Sequence, residues 1–148
     1  MRLATLKKPL PGVKHWFAHQ IGSKLDKSKY SHSTIVFSDR ISGSSWTDTG
    51  VDLRHLTYEN GYWDFFQLPL KLESKVRTYF EENLHLGYDR WGVMRFAFGF
   101  LNEDPRKAFC HEMLPSALGW EDPFRYGPWL LVDHCKLRLH ATKVESPW

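Results

Sequence analysis

The sequence has few of the features that mark an exported or membrane-bound protein. It contains two cysteines in 148 residues, Cys110 and Cys135, and no apolar run approaches the about 18 residues that cross a membrane. Its N-terminus also lacks the order of charged and then apolar residues found in a signal peptide. We therefore expect a cytoplasmic protein without a membrane span, in which free thiols are favoured over a disulfide.

An excess of charge of one sign is also missing. The 20 Lys and Arg residues against 17 Asp and Glu residues give a formal net charge of +3, which is too small to indicate nucleic-acid binding unless basic residues cluster. They cluster only weakly, at Lys7 and Lys8 and between Lys24 and Lys29. Such runs are more typical of a solvated face, so no nucleic-acid partner is expected.

The composition indicates one ordered domain. Hydrophobic residues make up 42% of the chain and aromatic residues 16%, which excludes a disordered chain and predicts a core packed with aromatic rings. The length fits a single domain over 1–148. Within it, residues 1–12 are predicted to form a loose lead, because the end of this stretch is rich in the turn formers Pro and Gly.

The spacing of apolar residues predicts an α+β fold. The predicted sheet elements are a strand over 31–38, a partner over 44–53 broken at 48–50, and a third element over 54–70. The predicted helices cover 13–22, 73–84, 88–100 and 109–118, with a strand or short helix over 130–140. Because the strands are grouped between helical segments and do not alternate with them, a doubly wound parallel sheet is not expected.

Two reactive side chains stand at the start of predicted elements. Cys110 lies at the head of the 109–118 segment, and His32 lies at the head of the 31–38 strand. A thiol is mostly protonated at neutral pH and becomes a good nucleophile when an imidazole or another cation lowers its pKa. If the fold joins the two residues, we expect a thiolate that is already reactive near pH 6.

The order of several short motifs resembles that of the circularly permuted NlpC-like cysteine peptidases, which have a papain-type fold. The resemblance covers about residues 15–120 and is closest to small single-domain members from bacteriophages and prophages. The motifs are Trp16-Phe17, Tyr30-Ser31-His32, Gly50-Val51, Trp63-Asp64-Phe65, Gly87-Tyr88-Asp89 with Gly92, and Phe109-Cys110 with Glu112. The resemblance implies an antiparallel sheet packed against helices, a nucleophile at a helix start and, for a phage protein, the host cytoplasm as its location.

The resemblance also implies roles for individual residues. Cys110 matches the nucleophile and His32 the general base of an acyl transfer from an amide or ester. The third member is a polar residue on the strand after the histidine, and Ser44 and Ser45 are its candidates. Tyr88 matches a tyrosine near the nucleophile and is a candidate substrate-binding residue.

Two neighbouring features are not assigned a catalytic role. His111 follows Cys110 directly, and since adjacent side chains on a helix diverge, we do not expect it to be the base. His134 and Cys135 are adjacent on a predicted strand and would face opposite sides of it. No metal site and no cofactor are therefore expected.

Three functions follow from these patterns. The first is a cysteine amidase or peptidase that acts on peptide-like or cell-wall-derived bonds. The second is an acyltransferase or thioesterase, which an apolar groove beside Cys110 would favour. The third is a non-catalytic virion, assembly or host-interaction protein on the same scaffold, in which Cys110 is a small buried hydrophobe.

Overall fold

A six-stranded antiparallel sheet organises the protein, whose computed structural model describes residues 1–7, 29–89 and 106–145. The strands are β1 (Arg2–Leu6), β2 (His32–Val36), β3 (Ile41–Trp46), β4 (Gly50–His55), β5 (Trp63–Gln67), β6 (Gly87–Tyr88), β7 (Lys107–Ala108) and β8 (Thr142–Val144). The sheet has the order β4-β3-β2-β1-β5-β8, while β6 and β7 pair in parallel beside it. The described part of the chain is therefore α+β, as predicted, and the permuted papain-like topology stays a prediction.

The loose lead predicted over 1–12 is wrong for its first half. Residues Arg2–Leu6 form β1, which pairs with β2 on one side and with β5 on the other. Leu3 and Ala4 point to opposite faces of the sheet, and both are fully buried. Because a central strand is apolar on both faces, Arg2–Leu6 lacks the apolar–polar alternation of a half-buried strand. The prediction of a loose lead relied instead on the Pro and Gly residues that follow.

The strands after β1 follow the predicted order. The strand expected over 31–38 is β2, and the partner expected over 44–53 is two strands, β3 and β4, separated at the predicted break. Gly50 begins β4 with a φ of 73°, and a Cβ there would lie 2.0 Å from the Leu86 carbonyl oxygen. Only glycine fits this turn, because both the backbone angle and the close approach exclude a side chain.

Three α-helices of the described segments pack against one face of the sheet. They are α1 (Glu73–Glu82), α2 (Met113–Leu118) and α3 (Pro128–Leu139), with short 3₁₀ helices at Leu70–Leu72 and Pro123–Arg125. The helix predicted over 73–84 is confirmed, and the segment over 130–140 is a helix. The helix predicted over 13–22, and residues 90–100 of the one predicted over 88–100, lie outside the described residues. No helix in the described segments is long and apolar enough to cross a membrane.

The helix predicted over 109–118 begins later than expected. It starts at Met113 and ends at Gly119, which adopts a left-handed conformation with a φ of 72°. Pro115 is the third residue of this helix, where a missing N–H removes no helical hydrogen bond. Cys110 therefore lies in a turn before the helix and not within its first turn.

The two faces of the sheet have different partners. Ile35 and Phe37 belong to the core under the helices, together with Phe80 of α1. Val36 belongs to a smaller cluster on the other face, with Tyr58, Trp63 and Phe65. Because side chains alternate along a strand, His32 shares the face of Val36, and Ser33 shares the face of the helices.

Candidate active site

The candidate site lies where two strands of the sheet separate. β2 and β3 pair only at Ile35 with Gly43 and at Val36 with Ser42. Beyond these pairs, the Ser44 hydroxyl donates a 2.6 Å hydrogen bond to the carbonyl of Ser33, in place of a backbone amide. The serine that follows Gly43 thus keeps the strands connected while leaving a gap beside the start of β2.

The segment that carries Cys110 is fixed to this gap by hydrogen bonds. The Ser45 hydroxyl donates to the carbonyl of Ala108 at 2.8 Å, which ties β3 to β7. A turn follows, in which the Glu112 amide donates to the Phe109 carbonyl at 3.1 Å and the Glu112 carboxylate accepts from the Phe109 amide. Glu112 therefore stabilises the turn that presents Cys110 to β2.

The Cys110 thiol is buried among polar groups. Its Sγ lies 3.4 Å from Nδ1 of His111, and the residue is 4% exposed. Burial raises the pKa of the thiol to about 12, although the backbone amides of Ser33, Cys110 and His111 point at the sulfur and lower the pKa in part. The charge of Glu112 adds to the increase. The thiol is therefore neutral at physiological pH.

His32 is held by a serine and two indole rings. Its Nε2 lies 3.3 Å from Oγ of Ser44, and its ring centroid lies 4.8 Å from that of Trp46 and 6.3 Å from that of Trp63. Burial lowers the pKa of His32 to about 4, and the positive charge of Arg54 lowers it further. The imidazole is therefore neutral and able to accept a proton.

The hydrogen bonds of Ser44 assign the tautomer of His32. The single hydroxyl proton of Ser44 is committed to the Ser33 carbonyl, so its oxygen is left to accept from the imidazole. The proton of the neutral ring is then on Nε2 of His32, and the lone pair is on Nδ1. This is the state that a general base needs.

These pKa values oppose the thiolate–imidazolium pair expected near pH 6, which stays a prediction. Such a pair requires the thiol to be a stronger acid than the imidazolium. In this structure the order is reversed, with a pKa of about 12 for Cys110 and about 4 for His32. Removal from water disfavours the charged form of each group, and the sequence gives no indication of that burial.

His111, which was not expected to be the base, lies beside the thiol. The expectation that its side chain diverges from Cys110 assumed a helix there, whereas the helix begins at Met113 and residues 110–112 form a turn. His111 is 1% exposed, and its Nε2 has no hydrogen-bond partner among the residues that the structure describes. Burial and the charge of His32 lower its pKa, which places the two imidazoles within electrostatic range of each other.

The other predicted site residues are separated by the sheet. Ser44 contacts His32, whereas Ser45 points to the helix side and binds Ala108. The Tyr88 ring packs on that of Phe109 at a centroid distance of 5.8 Å, one residue before Cys110. Among the described residues, the imidazole in hydrogen-bond contact with the Cys110 sulfur is that of His111, whereas the His32 ring is bonded to Ser44.

Three residues of the site were not predicted from the sequence. Trp46 and Trp63 flank His32, and the Arg54 guanidinium stacks on the Trp46 ring at 3.8 Å. Trp46, Trp63 and Arg54 lie on β3, β5 and β4, so they share the face of His32 only because these strands pair in one sheet. The sequence could have indicated Trp46, because it lies two residues after Ser44 and the two side chains therefore share one face of the sheet.

The described residues offer no other chemistry close to this site. No group of three or more His, Cys, Asp or Glu residues among them could hold a metal ion. A cavity of about 490 Å³ lies between the end of α2 and α3. Its lining residues all fall between positions 119 and 138 and include Trp120, Tyr126 and His134. None of its lining residues belongs to the site around Cys110 and His32.

Comparison with known proteins adds no functional assignment. No protein-family model matches the chain, and no curated protein is similar to it. The function must therefore be argued from the geometry of the site.

Proposed function

We propose that the protein is a cysteine hydrolase that cleaves amide bonds in peptide-like compounds, with cell-wall peptides as one source. Cys110 is the nucleophile, His32 the general base and Ser44 the residue that orients His32. The proposal is carried by the surroundings of Cys110. Its buried sulfur lies 3.4 Å from Nδ1 of His111 and is hydrogen-bonded by backbone amides. A cysteine that only fills space is usually surrounded by hydrocarbon.

His32 fits the role of base better than His111 does. When His32 accepts a proton on Nδ1, its Nε2–H stays bonded to the Ser44 oxygen. A protonated His111 would carry a buried N–H at Nε2 without a partner, which costs ~1–3 kcal/mol or more for a charged group. His111 therefore serves as a hydrogen-bond partner of the sulfur.

The reaction begins from the neutral thiol and the neutral imidazole. As the sulfur attacks the substrate carbonyl, the thiol proton passes to Nδ1 of His32, so no isolated thiolate has to form in the buried site. The backbone amides of Cys110 and His111, whose hydrogen bonding lowers the pKa of the thiol in part, are the proposed donors to the developing oxyanion. The imidazolium then protonates the leaving amine, and water releases the acyl group from Cys110.

The direct test uses an activated ester of a blocked amino acid, benzyloxycarbonyl-glycine p-nitrophenyl ester. The wild-type protein should release p-nitrophenolate and transiently gain the mass of one acyl group. Cys110→Ala and His32→Ala should lose both signals, and Cys135→Ala should keep them. Turnover that persists in Cys110→Ala would contradict the proposal.

The second candidate is a non-catalytic scaffold, which the low accessibility of the thiol favours. Cys110 is 4% exposed, and burial holds its pKa near 12. In that case the wild-type protein is not acylated by the ester. The acyltransferase or thioesterase alternative would use the same pair of residues on a lipid or thioester substrate.

A further inference from the structure

Three lysine side chains meet at one buried carboxylate of the sheet. Nζ of Lys7 lies 2.9 Å from Oδ1 of Asp64, and Nζ of Lys143 lies 3.0 Å from the same oxygen. Nζ of Lys29 lies 3.2 Å from Oδ2, to which the Tyr30 hydroxyl donates a 2.9 Å hydrogen bond. Asp64 is 3% exposed, so the three ammonium groups are held together around one fixed anion.

The cluster has more positive charge than Asp64 requires. Burial alone would raise the pKa of Asp64, but hydrogen bonds from the lysines and from Tyr30 hold it well below its usual range. The ionised carboxylate therefore carries one negative charge against the three positive charges of Lys7, Lys29 and Lys143. One ammonium group would neutralise it, so two positive charges are in excess.

Two charges of α3 near this cluster do not remove the excess. Nζ of Lys136 lies 5.5 Å from the centroid of the Phe66 ring, on the strand that carries Asp64. The carboxylate of Asp133 lies within electrostatic range of Tyr30. These two charges have opposite signs and compensate each other.

The lysines of the cluster are both ordered and accessible. The side chains of Lys29 and Lys143 are 56% and 57% exposed, and that of Lys7 is 26% exposed. An ammonium group has three N–H donors, and its contact with Asp64 occupies one of them, so the others can reach an acceptor in solution. Because Asp64 already restricts the three side chains, binding a ligand costs less side-chain entropy than ordering free lysines would.

We propose that Lys7, Lys29 and Lys143 form a binding site for a phosphate group, carried by free phosphate or by a phosphate monoester. A phosphate monoester has a charge of about −1.5 to −2 at pH 7, which matches the excess charge of the cluster. Its terminal oxygens are strong hydrogen-bond acceptors. Lysine binds phosphate as a point charge, so the three ammonium groups need no planar, bidentate geometry.

The site is independent of the proposed hydrolase. Asp64 shares the helix-side face of the sheet with Phe66, whereas His32 lies on the other face. In the sequence, Lys7 and Lys29 belong to two separate weak basic runs, which the fold joins at Asp64. The proposal therefore rests on the charges around Asp64 and not on the reactivity of Cys110.

The experiment compares two ligands of similar shape and different charge. Phenyl phosphate is mostly a dianion at pH 7.5, because the second pKa of a phosphate monoester is about 6, and phenyl sulfate is a monoanion. In calorimetric titrations at low ionic strength, we expect phenyl phosphate to bind about tenfold or more tightly than phenyl sulfate, because of its additional charge. A titration with inorganic phosphate identifies the source: equal affinity indicates free phosphate as the ligand, and lower affinity indicates a monoester.

Matched variants each remove one exposed positive charge. Lys29→Gln and Lys143→Gln should each weaken the binding of phenyl phosphate about threefold, within the usual range for an exposed ion pair. Lys71→Gln removes an exposed positive charge from the 3₁₀ helix at Leu70–Leu72, outside the cluster, and should leave the affinity unchanged. Circular dichroism spectra check that each variant is folded.

Two kinds of result would overturn the site. If the wild-type protein binds neither phenyl phosphate nor inorganic phosphate, or binds phenyl sulfate as tightly as phenyl phosphate, the lysines only neutralise Asp64. If Lys71→Gln weakens binding as much as Lys143→Gln does, the attraction is one of overall charge. Neither result bears on the hydrolase, because these titrations do not depend on ester cleavage.

Discussion

The two cysteines of the chain are equally hidden but have different neighbours. Cys135 lies on α3 at 0% exposure, in the core with Leu131 and Val132, and burial alone raises its pKa to about 12. Cys110 has the same raised pKa, yet its sulfur contacts Nδ1 of His111 and backbone amides. Exposure and acidity therefore do not distinguish the two thiols, and only their hydrogen-bond partners do.

The largest effect is expected from removing the base. His32→Ala should slow the acylation of Cys110 by ~10²–10⁴-fold, the usual contribution of a positioned general base. Stopped-flow release of p-nitrophenolate measures the rate. Acylation that is unchanged in His32→Ala would mean that His111, the imidazole bonded to the sulfur, is the base.

The next effect concerns simple alkylation at different pH values. Because burial raises the pKa of Cys110 to about 12, the thiolate fraction at pH 8 is below that of a free thiol of pKa ~8.5. Iodoacetamide should therefore label both native cysteines at least about 100-fold more slowly than a peptide thiol. Its rate at Cys110 should increase about tenfold for each pH unit between 7 and 10.

The opposite result of that labelling experiment would change the comparison of Cys110 with Cys135. A Cys110 that is labelled rapidly near pH 6, with slow labelling of Cys135, would show that a thiolate–imidazolium pair forms in solution. The Cys110 thiol would then be a stronger acid than the His32 imidazolium in the active state, the reverse of the order that burial sets.

A smaller effect separates the two adjacent serines. Ser44→Ala removes the acceptor for Nε2 of His32 and should lower the acylation rate by about tenfold. Ser45→Ala removes the bond to the Ala108 carbonyl and should instead reduce the free energy of unfolding by ~1 kcal/mol. Kinetics and urea unfolding of both variants test this, and equal rates in the two would exclude Ser44 as the orienting residue.

The smallest expected effect is a difference in the free energy of unfolding between the Cys135→Ser and Cys110→Ser variants. Cys135→Ser places a hydroxyl among apolar side chains and should cost ~2 kcal/mol, the usual penalty for an unsatisfied buried group. Cys110→Ser keeps partners at Nδ1 of His111 and at the Ser33 amide, so we expect a loss under ~1 kcal/mol. Urea unfolding measures both, and equal losses would remove the contrast.

Elements set by local signals were predictable from the sequence. The strand at His32–Val36 follows its apolar run, α1 follows its helical spacing, and Gly119 ends α2 in a left-handed conformation, as a C-terminal glycine should. Features that depend on strand pairing were not. The central position of Arg2–Leu6 results from contacts with β2 and β5, more than 25 residues away in the sequence.

The same distinction applies to the site. The sequence suggested Cys110 and His32 as a pair and left Ser44 and Ser45 as equal candidates. The register of β3 separates the serines, because one faces His32 and the other faces Ala108. The late start of α2, which brings His111 to the sulfur, depends on a turn whose hydrogen bonds have no sequence pattern of their own.

The central claim is that Cys110, and not Cys135, reacts with an acyl donor in the folded protein. Trypsin places the two thiols in separate adjacent peptides, 108–125 and 126–136, so mass spectrometry of the acylated native protein locates the adduct directly. The account predicts the acyl group on the 108–125 peptide and none on the 126–136 peptide. An adduct on Cys135, or none on either peptide, would contradict it.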